Sequence, residues 1–204
     1  MVLEAVAPFA RRAGYARGPP CRRDAMTDLP YLAGYPEATL DQVRRLIAEG
    51  RLQGHLAKKY PDRHEVQSDS ALLDYVSALK RDYLRNAPPL HRVRYENGMD
   101  AIRNALGLHV RSSRVQGAKL KSKQEIRIAS VFREGAPEFL EMIVVHELAH
   151  IREADHDKRF YDLCTHMLPD YHQREFDARL WLMARRLAAG SSADRERAGR
   201  GEPR

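Results

Sequence analysis

Cysteine is nearly absent from this chain: Cys21 and Cys164 are the only two in 204 residues. Two cysteines, one near the N-terminus and one inside a helical pattern, cannot make a disulfide framework, so a reducing cytoplasm is the expected compartment. Long apolar runs are missing as well. No window approaches the roughly eighteen uninterrupted apolar residues of a membrane helix, and no membrane partner is expected. The opening MVLEAVAPFARRAGYARGPPCRR has arginines where a secretory signal needs its apolar run, which argues against export. Met26, just ahead of TDLPYLAGYP, offers an alternative start. The chain also has no Gly-x4-Gly-Lys-Ser/Thr loop, so it is not a P-loop nucleotide binder. Internal repeats and long linkers are absent too.

What is present reads as one globular domain with flexible ends. Apolar residues make up 43% of the chain and the charge is mixed. Residues 1–27 and 190–204 are rich in Arg, Gly, Ser and Pro and are expected to be flexible, leaving a single domain at 28–189. The net charge of +7 and pI near 9.6 admit nucleic acid as a partner without requiring it, because solvated surface alone accounts for such a balance.

Apolar spacing places helices first. ATLDQVRRLIAEGRLQGHLAKKY has Leu40, Val43, Leu46, Ile47, Leu52 and Leu56 near helical period, with Gly50 and Gly54 weakening its middle. SDSALLDYVSALKRDYLRNAPP is the stronger helix, with Ser68 or Asp69 as cap and Pro88 as the stop. HRVRYENG and LHVRSSRV then read as extended, with a short helix in MDAIRNALG between them, and EIRIASVF is the clearest strand. Pro137 opens a helix with a broad apolar face, and DKRFYDLCTHML and REFDARLWLMARRLAA supply two more. The fold class is α+β.

The helix after Pro137 contains HELAH. His146 and His150 lie one turn apart and face the same way, so both imidazoles can reach one ion. Glu147 is rotated by about 100° from His146, which suits work on a bound water rather than on the metal. An ordinary helix with two surface histidines is the bland alternative. It is disfavoured by the preceding MIVV, which should bury this helix, and buried imidazoles and carboxylates need partners. A catalytic zinc requires a third protein ligand. His156 follows His150 at the interval of the metzincin pattern, although Glu153 stands where that pattern turns on glycine, so a turn is needed near Ala154–Asp155. Glu175 occupies the interval of another zincin class, and His166 and His172 are weaker candidates.

YLAGYP, LRNAPP, NALGLHVRSSRVQGAKLKSK, EIRIASVFR, MIVVHELAH and HQREFDARLWL together resemble the YgjP-like metallopeptidase-domain family, relatives of the SprT-like and WLM zincins. The resemblance covers roughly residues 29 to 185. It implies a zincin-like fold, with a small antiparallel or mixed sheet packed on the HExxH helix and additional N- and C-terminal helices. It also implies zinc, with another divalent metal as the alternative, as cofactor, His146, His150 and His156 as ligands, and Glu147 as catalytic base. Many members have a tryptophan-glycine-serine-cysteine signature where this chain reads VQGAKLKSKQEIRIAS, which marks a divergent branch. Some relatives are assigned as pyrophosphatases acting on UTP, in conflict with the peptidase label.

The motif defines hydrolysis better than it defines the bond. A metal-acidified water with a glutamate base serves an amide or a phosphoryl centre alike. Peptide hydrolysis ranks first here, because EIRIASVF can receive an extended substrate as an added strand, and Tyr161, Tyr171 and His172 are candidate oxyanion donors. Nucleotide hydrolysis ranks second: RSSRVQGAKLKSK sets Arg111, Arg114, Lys119, Lys121 and Lys123 around Gly117, and Arg114 with the three lysines are candidate phosphate contacts. A zinc-stabilised nucleic-acid-binding module is a third reading, but a purely structural site has no use for Glu147. Cys164 lacks an activating base and is not expected to be a nucleophile.

Overall fold

The computed structural model describes residues 29–98 and 124–199. The basic run, the helix expected in MDAIRNALG and the strand expected in LHVRSSRV lie outside the described residues. The chain groups into two compact units, one drawing on residues up to 59 and from 176 onward, the other on residues 60–175.

In the first unit, α1 (Glu37–Ala48) and α2 (Leu52–Lys59) replace the single weakened helix expected from the sequence. The reason is Gly50, whose φ of +65° is a left-handed conformation that ends α1 and that glycine adopts without a side-chain clash. The later part of the last helix, α6 (Tyr171–Gly199), belongs to this unit. Buried Asp177 on α6 pairs with Lys59 Nζ at 2.6 Å, and Tyr35 packs on Phe176 with ring centroids 5.0 Å apart.

The second unit contains His146, Glu147, His150 and His156. α3 (Asp69–Tyr83) starts where predicted, with the Ser68 hydroxyl accepting from the Ala71 N–H. It ends well before Pro88. β1 (Leu90–Glu96) and β2 (Gln124–Ala129) then pair in parallel, with Val93 opposite Ile126 and Tyr95 opposite Ile128, all four buried. An antiparallel or mixed sheet was the expectation; the described pair is parallel instead. Parallel neighbours need a crossover of about a dozen residues or more, and the stretch between Glu96 and Gln124 is long enough for one. EIRIASVF is a strand only as far as Ala129, and Ser130–Glu134 curl into a 3-10 helix. Buried His64 secures that turn, donating from Nε2 to the Phe132 carbonyl at 2.7 Å while Nδ1 accepts from the Val66 N–H.

α4 (Pro137–Ala149) is the centre of this unit. Pro137 occupies its first turn, and nine of its residues are buried, Phe139, Leu140 and Met142 to His146 among them. The β-branched run Ile143–Val144–Val145 has modest helix propensity, so burial on nearly every face stabilises the helix rather than intrinsic preference. α5 (Lys158–Met167) follows, capped by Asp157, whose carboxylate accepts from the Arg159 and Phe160 N–H groups. Arg174 then joins Glu141 of α4 to Asp170, at 2.5 and 2.8 Å, and holds the first turn of α6 against α4. No helix among the described residues is long and apolar enough to cross a membrane.

Candidate metal centre

α4 delivers His146 and His150 on one face, and its C-terminus releases the chain into a tight turn. The N–H groups of Ile151, Arg152 and Glu153 donate back to Leu148 and Ala149 carbonyls, and the backbone bends at Asp155. That bend, at the place the spacing requires, returns His156 towards the helix. The three Nε2 atoms converge: His146 to His150 is 3.2 Å, and His156 is 3.1 Å from each.

These contacts are not hydrogen bonds in any useful sense. His150 Nδ1 lies 3.0 Å from the Glu153 carbonyl, which can only accept, so Nδ1 carries the proton and Nε2 of the neutral ring carries a lone pair. Lone pairs pointed at one another repel unless a cation lies among them. Four ligands at about 2.0–2.1 Å in a tetrahedron are separated by about 3.3–3.4 Å, within a few tenths of an ångström of the observed spacing. The cluster therefore fits a zinc-sized ion on its donor chemistry as well as on its dimensions, and these three residues can hold a metal.

The surroundings are built for the same purpose. Phe160, fully buried in the first turn of α5, lies with its ring centroid 4.9, 4.6 and 4.5 Å from those of His146, His150 and His156. It is an apolar floor shared by all three imidazoles. The Tyr171 hydroxyl lies 2.7 Å from His146 Nδ1. Sequence reasoning missed both roles; the only trace of the first is that Phe160 follows His156 at helical spacing. Glu147 is half-buried, and loss of water pushes its carboxyl up to about 8. A dication nearby would pull it back down, since it favours the carboxylate.

Of the other candidate ligands, Glu175 is buried but does not join the cluster, and its charge falls instead on Cys164. His166 is exposed, stacked edge-on to Tyr83, and His172 packs on Tyr161 at 5.4 Å. Tyr161 is also 6.4 Å from the His156 ring, so it and His172 remain near the site, whereas the Tyr171 hydroxyl is already engaged. Burial and then Glu175 push the Cys164 thiol up, against a hydrogen bond with Tyr171, which leaves it inert as a nucleophile. Arg111, Arg114, Lys119, Lys121 and Lys123 are outside the described residues.

Residues 42–180 match the family described as YgjP-like, metallopeptidase domain. The chain is similar to the UTP pyrophosphatase of Escherichia coli (strain K12), with 58% identity over 157 residues that cover 77% of this chain and 94% of that protein. No solved structure matches the chain.

Proposed function

The chain belongs to the YgjP-like, metallopeptidase-domain family and is an enzyme of the hydrolase class, and from that premise we propose a zinc-dependent pyrophosphatase that splits UTP into UMP and diphosphate. The metal-dependent part rests on three imidazole Nε2 atoms converging to 3.1–3.2 Å. The substrate rests on the likeness to UTP pyrophosphatase, 58% identical along nearly all of that protein. This reverses the order expected from the motif alone, in which the peptide bond came first. A buried HExxH helix following a strand supports a zincin-like reading of the fold.

Zinc held by His146, His150 and His156 would keep one position open, polarise a phosphoryl oxygen and bring the pKa of a bound water to about 7. Glu147 takes the proton from the attacking water. As the water oxygen bonds to phosphorus, the phosphoanhydride P–O bond breaks, and Glu147 can return its proton to the departing diphosphate. Arg114, Lys119, Lys121 and Lys123 are the cations assigned to the polyphosphate. Peptide hydrolysis is the second reading, and the HExxH pattern and the family's metallopeptidase domain favour it.

The test is to incubate zinc-loaded protein with a nucleotide panel and a denatured-protein panel, using Glu147→Gln as control. Diphosphate should appear from UTP with wild type, and Glu147→Gln should retain metal but lose about 10²–10⁴-fold in rate. Changing Lys119, Lys121 and Lys123 together to Ala should cripple UTP hydrolysis. Protein cleavage by wild type, with no diphosphate released, would put the peptidase first.

A further inference from the structure

We propose that Tyr171 is a positioning residue of the metal centre, its buried hydroxyl accepting the Nδ1–H of His146 and so committing that imidazole to bind metal through Nε2. The inference rests on the metal reading above and assigns a role to a residue outside the ligand set.

The geometry is specific. His146 is 1% exposed and Tyr171 is fully buried, so bulk water does not serve Nδ1, and the phenol oxygen is 2.7 Å away. With Nε2 given to a metal, the ring's proton must be on Nδ1, and the hydroxyl oxygen is then the acceptor. A hydrogen bond accepted from Nδ1–H fixes the tautomer and ring orientation and makes His146 a better electron donor to the ion. His150 is held differently, through the Glu153 carbonyl. Placement of the phenol is also over-determined. Tyr171 opens α6, its N–H donates to the Leu168 carbonyl, and the Arg174 link to Glu141 and Asp170 clamps that turn to α4. The sequence offered Tyr171 as an oxyanion donor; the structure places its hydroxyl behind a ligand instead.

Tyr171→Phe in the full chain is the test, because it removes one oxygen and keeps the buried ring. Zinc affinity measured by chelator competition should fall by about ten- to a hundredfold. The visible spectrum of the cobalt-substituted protein should shift, while the melting curve stays cooperative. In wild type loaded with zinc, imidazole ¹⁵N NMR should find His146 protonated on Nδ1 and that proton slow to exchange, a measurement that needs no variant. Wild-type zinc affinity with an unchanged cobalt spectrum in Tyr171→Phe would overturn the inference, as would His146 bound through Nδ1. A wild-type protein that takes up no metal would remove the metal reading itself, and this inference with it.

Discussion

Glu147 and His146 are neighbours in the chain with opposite needs. In the proposed mechanism His146 stays neutral to offer a lone pair, whereas Glu147 becomes charged to act as base in a place where burial resists charge. The conflict has a consequence for stability. In metal-stripped protein the folded-state pKa of Glu147 is raised by burial from 4.5 to about 8. Between those values the folded state binds more protons than the unfolded chain, so this residue makes stability fall as pH rises through the window. Glu147→Gln removes the titration. The melting midpoint of stripped wild type, measured relative to stripped Glu147→Gln, should therefore decline from about pH 4.5 to about pH 8. Parallel curves would mean that the carboxyl is well solvated.

The element that decides the site is the short link between α4 and α5. α4 alone can present two imidazoles; the third depends on a turn and on the cap that starts the next helix. Asp157 caps α5 at the residue after His156, and its carboxylate anchors the N–H of Phe160, the floor of the cluster. Ser68 performs the same backbone task on α3, away from any ligand. Asp157→Ala and Ser68→Ala should thus cost similar stability, about 1 kcal/mol each. Only Asp157→Ala should also weaken zinc retention, measured by chelator competition. Equal retention in both would show that the cap does not hold His156 in place.

On the scale of the whole molecule, a metal that joins α4 to the α4–α5 turn should act as a cross-link. A ligand that binds only the folded state stabilises it, by about 4 kcal/mol when present at about a thousand times its dissociation constant. Zinc should raise the melting midpoint and a strong chelator should lower it. Elemental analysis should find about one equivalent per chain. His146→Ala, His150→Ala and His156→Ala should each lose the metal and the zinc-dependent shift. Glu175→Ala should keep both, because Glu175 is not part of the cluster. Metal retained by His156→Ala but lost by Glu175→Ala would reverse that assignment.

Much of this was legible in one dimension, because it depends on spacing along a helix. The period of 3.6 residues brings His146 and His150 together wherever α4 lies, the apolar MIVV foretells its burial, and Ser68 and Pro137 announce two helix starts. Other features depend on backbone conformation or on long-range pairing. Gly50 was visible as a weak point, but only its left-handed φ turned one helix into two. The parallel pairing of β1 with β2 is a choice between strands whose alternation reads the same in either direction. At the site, spacing left His156 and Glu175 both open as third ligand; the bend at Asp155 and the cap at Asp157 bring the histidine in, whereas Glu175, though buried, does not join the cluster. Phe160 beneath the imidazoles and Tyr171 behind His146 had no motif to announce them. They come from α5 and α6, and only packing against α4 brings them within reach of the ligands.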